Sequence, residues 1–128
     1  MKPVVAFVLE QIQANNKDIV LPKELKRPGM GTTHALAEHF DNEEYDFQDI
    51  RAIYLLVEDV EPQSLIGSDG IVRYAHPWAT LSFTNPGAKT RIIILDEFDQ
   101  AAPGVQAVIN EFIHEATIAN KNIFFIKR

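Results

Sequence analysis

Cysteine is absent from the 128-residue chain, so neither a disulfide bond nor a thiolate metal site can form. Basic residues are also few, since 12 Lys and Arg oppose 18 Asp and Glu and leave a net charge of -6. A protein that binds nucleic acid non-specifically needs a basic surface that displaces counterions, so nucleic acid is not an expected partner. The histidines, at positions 34, 39, 76 and 114, show no metal-ligand spacing on one helix face.

A run of about 18 apolar residues, the length that crosses a membrane as a helix, is also missing. The apolar N-terminal segment ends at Glu10 and Gln11, and no small-residue cleavage site follows it. We therefore interpret this segment as an amphipathic helix and expect a cytoplasmic protein with no membrane span. With 128 residues, 46% of them hydrophobic, the chain has the size and composition of a single domain, 1–128.

The spacing of apolar residues predicts helices that alternate with strands. Helical spacing begins at Pro3, at Thr32 or Thr33, and at Pro103. Three short apolar runs have the character of strands: Asp18–Leu21, Arg91–Leu95 and Asn122–Ile126. A fourth strand is expected near Asp46–Arg51, where a strand-like pattern is mixed with charge. This alternation predicts an α/β domain in which helices cover both faces of a mostly parallel sheet of about four strands. Between the second and third strands we expect a short helix over Val60–Leu65 and a hairpin or irregular insertion over Gly67–Trp78.

The third predicted strand ends in two carboxylates, Asp96 and Glu97. Ligands of open α/β sheets bind at the carboxyl edge, where these side chains would lie. In nucleotide hydrolases an aspartate at this place holds Mg²⁺ and a second acid polarises the attacking water, and the order Asp-Glu suits those roles. The alternative is an ordinary strand that runs into a polar loop.

A loop rich in glycine precedes the second predicted helix, from Lys26 to Thr33. Backbone N–H groups in such a loop bind phosphate together with the helix N-terminus. Compared with the pattern G-x-x-x-x-G-K-[ST], Gly31 and Thr33 match, whereas Lys26 takes the place of the first glycine and Thr32 that of the lysine. A Pro-Gly-x-Gly turn without ligand-binding function is the alternative interpretation.

The glycine-rich loop and the two carboxylates stand about 65 residues apart. The carboxylates belong to the segment Leu95-Asp96-Glu97, which is followed by Gln100-Ala101-x-Pro103-x-Val105-Gln106. Before them come the segments Pro28–Glu38, Asp49–Arg51, Glu61–Gly67, Asp69-Gly70 and Pro77-Trp78. In this order, and over roughly two-thirds of the chain, these segments resemble the ATPase core of MoxR-type AAA+ proteins, and the segment that begins at Leu95 is the most specific of them.

The resemblance implies a three-layer P-loop NTPase fold that binds ATP with Mg²⁺. It assigns nucleotide binding to the residues of the loop: Gly29, Met30, Gly31, Thr32 and Thr33. Thr33 and Asp96 would hold the Mg²⁺, and Glu97 would be the catalytic base. The segment 65–78 would be the family's insertion between strands two and three, which in hexamers helps to form the face that remodels a partner.

Departures from the family pattern put the activity in question. Thr32 lacks the charge of the lysine that reaches the β and γ phosphates, so hydrolysis should fall by orders of magnitude. Lys26 and Lys89 are the lysines that would have to replace it from another direction. Lys26 also brings a side chain to a position where the family has glycine.

The sequence ends on the strand that in the family precedes the sensor residue, and the next strand, the arginine finger and the helical lid do not follow. The family's strand order, 5-1-4-3-2, would then leave the first strand with an open edge, which favours association with itself or with a protein partner. Three functions remain open: an ATPase with weak or lost hydrolysis, a non-catalytic regulatory or assembly protein, and a divergent product that keeps only the fold.

Overall fold

A computed structural model describes residues 1–26, 31–61, 63–75, 85 and 87–128 of the chain. Its helices are α1 (Pro3–Gln13), α2 (Thr32–His39), α3 (Val57–Val60) and α4 (Pro103–Ile118). Its strands are β1 (Asp18–Val20), β2 (Tyr45–Arg51), β3 (Gln63–Ile66), β4 (Val72–Ala75), β5 (Thr90–Asp96) and β6 (Ile123–Lys127). Three short 3₁₀ helices, Lys23–Leu25, Ala52–Tyr54 and Phe98–Gln100, connect some of these elements.

Four of the strands form one sheet in which every pair is parallel, in the order β1-β6-β5-β2. The expected α/β fold with a parallel sheet of four strands is therefore confirmed. If these four strands are numbered 1 to 4 along the chain, their order across the sheet is 1-4-3-2. Their register brings the carboxyl ends of three strands to one edge, since Arg51 pairs with Asp96 and Leu95 pairs with Lys127.

Alternate residues of the two central strands pack on opposite faces of the sheet, as the two-residue period of a strand requires. On one face Ile93, Leu95 and Phe125 belong to the core under α3 and α4. On the other face Ile92 and Ile94 belong to the core under α1 and α2. Burial on both faces explains why these strands are continuous apolar runs.

The predicted helices at Pro3, Thr32 and Pro103 and the four predicted strands agree with the structure within a few residues. Pro3 and Pro103 each lie in the first turn of a helix, where a missing N–H costs nothing. Asn15 and Asn120 follow α1 and α4 with φ of 58° and 50°, left-handed values that asparagine tolerates and that end a helix.

The prediction of a helix over Val60–Leu65 is wrong. The short helix α3 lies earlier, and the Leu56 N–H donates a 2.7 Å hydrogen bond to the Asp59 carboxylate at its start. Glu61 is extended, with ψ of 151°, because a residue before proline avoids the helical region. The chain that follows pairs β3 with β4 as an antiparallel hairpin.

This hairpin lies between β2 and β5, in the part of the chain where an insertion was expected. The Gly67 N–H donates a hydrogen bond to the Ile71 carbonyl across the turn. Gly70 has a φ of 78°, a left-handed value that glycine adopts without steric cost. Of the predicted insertion 65–78, residues 76–78 lie outside the described part of the chain.

Candidate functional site

The candidate site lies where β2, β5 and β6 end beside the N-terminus of α2. Asp96 is the last residue of β5, and its side chain is only 11% exposed. Glu97 follows with φ of 57° and ψ of 38°, a left-handed conformation that costs a non-glycine residue about 1 kcal/mol. This conformation ends the strand and turns the chain into the 3₁₀ helix Phe98–Gln100.

Asp96 is linked to the start of α2 and to the end of β6 by a compact set of hydrogen bonds. The Arg128 Nη1 donates to Asp96 Oδ1 at 2.9 Å and to the Thr33 hydroxyl at 2.9 Å. The Thr33 hydroxyl lies 3.4 and 3.5 Å from the two carboxylate oxygens of Asp96. Burial opposes ionisation of Asp96, but hydrogen bonds from Asp49 and Arg128 outweigh it and lower its pKa.

Asp49, two residues before the end of β2, is the fourth member of this group. The pKa of Asp49 is raised to about 7, mainly because its carboxyl group is partly removed from solvent. The hydrogen bond to Asp96 and the negative charge of Asp96 raise it further. Asp96 is therefore the carboxylate that keeps the negative charge, while Asp49 retains a proton into the neutral range. We refer to Thr33, Asp49, Asp96 and Arg128 as the strand-end cluster.

Glu97 forms a separate ion pair outside this cluster. Its Oε1 accepts a hydrogen bond from Arg51 Nη2 at 2.9 Å, and the two side chains are 43% and 56% exposed. The Arg51 guanidinium also lies 5.3 Å from the centre of the Tyr54 ring. An exposed pair of this kind adds little to stability. The pair nevertheless keeps the carboxylate of Glu97, the predicted catalytic base, next to a positive charge.

The predicted phosphate-loop residues have different environments. Gly31 precedes α2 with φ of 61°, and a Cβ there would meet no atom within 4 Å, so the dihedral angle and not crowding favours glycine. Thr32 is buried, and its hydroxyl donates to the Leu25 carbonyl at 2.8 Å. Thr33 belongs to the strand-end cluster, whereas Gly29 and Met30 lie outside the described residues.

The cluster does not fit Mg²⁺ as it is arranged. The expected ligands, the Thr33 hydroxyl and the Asp96 carboxylate, are of the right chemical type. Mg²⁺ holds oxygen at about 2.1 Å in octahedral geometry, which separates neighbouring ligands by about 3.0 Å, and these two oxygens are 3.4 Å apart. The Arg128 guanidinium bridges both of them. Within the described ranges no group of three or more Asp, Glu, His or Cys side chains is disposed to hold a metal ion.

Sequence reasoning did not single out three residues of this region as site residues: Asp49, Arg51 and Arg128. A usable signal existed for two of them, because Asp49 and Arg51 end a strand parallel to β5 and must share its edge. Lys89, one of the two lysines that would have to replace the missing one, precedes β5 at its amino end. Seven strand residues separate it from the carboxyl edge by roughly 23 Å, at about 3.3 Å per residue.

Other features of the surface lie away from this edge. An open cleft of about 790 Å³ between the end of α2 and the start of β2 is lined by Glu38, Phe40, Tyr45 and Asn85 among others. It includes no member of the strand-end cluster. As for membranes, none of the helices in the described ranges combines the length and the apolar character that a bilayer span requires.

Comparisons with known proteins gave no match: no family model, no curated protein and no solved structure is significantly similar to this chain.

Proposed function

We propose that this chain is a P-loop-type nucleotide-binding domain, related to MoxR-type AAA+ proteins, which binds the phosphates of ATP and hydrolyses them weakly or not at all. The observation that supports it most directly is the contact between Thr33 and Asp96. It joins the first turn of the helix after the glycine loop to the end of a central strand. P-loop proteins bring a hydroxyl and a carboxylate together in this way beside the phosphates.

The strand order is a second, independent support. The observed order of the parallel strands, 1-4-3-2, is the order that the resemblance implies when its fifth strand is left out. The local apolar pattern of each strand does not determine which strands become neighbours. The agreement therefore adds weight to the P-loop interpretation.

Weak hydrolysis follows from how the acidic groups are engaged. A general base must accept a proton from water, and Glu97 is held 2.9 Å from the Arg51 guanidinium. Thr32, in the place of the phosphate-binding lysine, has its hydroxyl bonded to the Leu25 carbonyl. The chain therefore has neither a free acid nor a lysine at the positions that the family uses for turnover.

Calorimetric titration with ATP tests the proposal. We expect Thr33→Val to weaken ATP binding about tenfold, because one charge-assisted hydrogen bond contributes about 1.5 kcal/mol. Thr117→Val is the matched control, since that hydroxyl is bonded to the Ile113 carbonyl on α4 and lies outside the cluster. Thr32→Lys should strengthen binding, while ATP turnover stays low because Glu97 remains paired. If neither the wild type nor Thr32→Lys binds ATP, the proposal is wrong.

A regulatory or assembly function is the second candidate, and exposed apolar residues favour it. Val20 on the edge strand β1 is 59% exposed, and Ile66, Ile71 and Val72 in the hairpin are 78%, 53% and 52% exposed. Sheet edges and apolar patches of this kind are sites of association. Sedimentation equilibrium tests it: we expect Ile66→Asp to abolish concentration-dependent association, and a wild type that stays monomeric at high concentration would contradict self-association.

A further inference from the structure

The Arg128 guanidinium lies between the two groups that a divalent cation would need. One nitrogen atom, Nη1, is 2.9 Å from the Thr33 hydroxyl and 2.9 Å from the Asp96 carboxylate. A metal ion bound to both oxygens would lie between them as well. Since a guanidinium and a metal cannot share this space, one excludes the other.

The backbone of Arg128 is held firmly beside β5. Its N–H donates to the Leu95 carbonyl at 3.1 Å, and its main-chain oxygen accepts from the Phe98 N–H at 3.2 Å. These two bonds fix the point from which the side chain extends, and that side chain is only 28% exposed. A cation attached to a fixed backbone loses less entropy on binding than a free ion does.

Asp96 keeps its negative charge and would by itself repel a phosphate group, but Arg128 cancels that charge at hydrogen-bond distance. Arginine has five N–H donors and is suited to bidentate contact with phosphate. Among the described residues its side-chain hydrogen bonds use Nη1, so Nη2 and Nε are the donors that would meet a phosphate.

We propose that Arg128 is the resident cation of this site in place of a divalent metal, so that the site excludes Mg²⁺ and takes a nucleotide's phosphates without it. The exclusion of metal stands on the geometry of Thr33, Asp96 and Arg128. The binding of phosphate rests on the proposed nucleotide function.

The first experiment uses a metal alone, with Mn²⁺ as the paramagnetic probe. Titrations followed by electron paramagnetic resonance compare the wild type with Arg128→Gln, which removes the charge and keeps a polar side chain. We expect Arg128→Gln to bind Mn²⁺ at least tenfold more tightly, and Arg128→Gln combined with Asp96→Asn to lose the gain. Lys121→Gln is the matched control, since it removes one exposed cation elsewhere on the surface.

Two results would overturn the exclusion of metal. One is equal Mn²⁺ affinity of the wild type and Arg128→Gln. The other is Mn²⁺ binding by the wild type that Asp96→Asn abolishes. Because this comparison needs no variant at position 128, it tests the exclusion of metal even if Arg128→Gln does not fold.

The second experiment titrates ATP in EDTA and in Mg²⁺. We expect the wild-type affinity to differ less than twofold between the two buffers, and the metal-free affinity of Arg128→Gln to fall at least tenfold. A wild type that needs Mg²⁺ for ATP binding would overturn the inference. A wild type that binds ATP in neither buffer would overturn the nucleotide function, while the Mn²⁺ titration would still decide whether Arg128 excludes the metal.

Discussion

Asp49→Asn tests the protonation of the strand-end cluster. Asparagine resembles the protonated form of aspartate and keeps a donor for the hydrogen bond to Asp96, so the substitution removes only the titration. In the folded protein the pKa of Asp49 is about 7, above its usual 3.8. The folded state therefore binds the proton more tightly than the unfolded state, and the stability that this contributes is lost as the pH rises from about 4 through about 7.

The magnitude follows from the size of the shift. About three pKa units correspond to about 4 kcal/mol, at roughly 1.4 kcal/mol per unit. Asp49 as a residue is exposed, and solvent and salt screen the repulsion between its carboxylate and that of Asp96. We therefore expect a stability difference of about 1 kcal/mol. The free energy of unfolding of Asp49→Asn minus that of the wild type should therefore be larger at pH 8 than at pH 5 by this amount.

Urea unfolding at pH 5 and pH 8 measures this difference directly. The pKa of Asp96 is lowered, so its own stability contribution is lost only below about pH 4, outside this range. Asp41→Asn is the matched control, because it removes an exposed aspartate away from the cluster. If the difference between Asp49→Asn and the wild type is the same at both pH values, the two carboxyl groups do not share a proton and the described electrostatics are wrong.

Three further predictions concern the backbone, the core and the ion pair. Gly31→Ala should lower the free energy of unfolding by about 1 kcal/mol, because residue 31 has a φ of 61°. Gly87→Ala is the control and should change it little, because the φ of residue 87 is not left-handed. Denaturant titration measures both variants. Phe125→Ala should cost about 3 to 5 kcal/mol, since this ring is fully buried, and a loss below 1 kcal/mol in the same assay would contradict the described packing. Glu97→Gln should leave the rate of phosphate release from ATP unchanged. A hundredfold fall in that rate would instead show that Glu97 acts as a catalytic base.

Most of the fold could be predicted from local pattern. The run from Ile92 to Leu95 is apolar at every position, which is typical of a strand buried on both faces, and the structure packs alternate residues into two cores. The failure at Val60–Leu65 has a physical cause. Apart from its proline, the segment is apolar only at Val60 and Leu65, so its pattern selects neither helix nor strand. Pairing of Gln63–Ile66 with Val72–Ala75, a contact between separate segments, decided in favour of strand.

The candidate site was predicted in part. The rule that ligands bind at the carboxyl edge selected Asp96 and Glu97, but the same rule applied to the strand ending at Arg51 would have added Asp49. Arg128 could not be assigned, because its contact with Thr33 joins residues 95 positions apart in the chain. No local periodicity reports a pairing at that distance.

By itself, the sequence determined three of the helices, the four strands of the parallel sheet, and which acids end a central strand, because these properties depend on neighbouring residues. Only the tertiary structure decided the charge state of the site. Parallel pairing of β2, β5 and β6 brings Asp49, Asp96 and Arg128 together, and the interaction of charges depends on their distance in space rather than their separation in the chain. The carboxylate that the sequence pattern suggested as a metal ligand is, in the folded protein, already bound to an arginine.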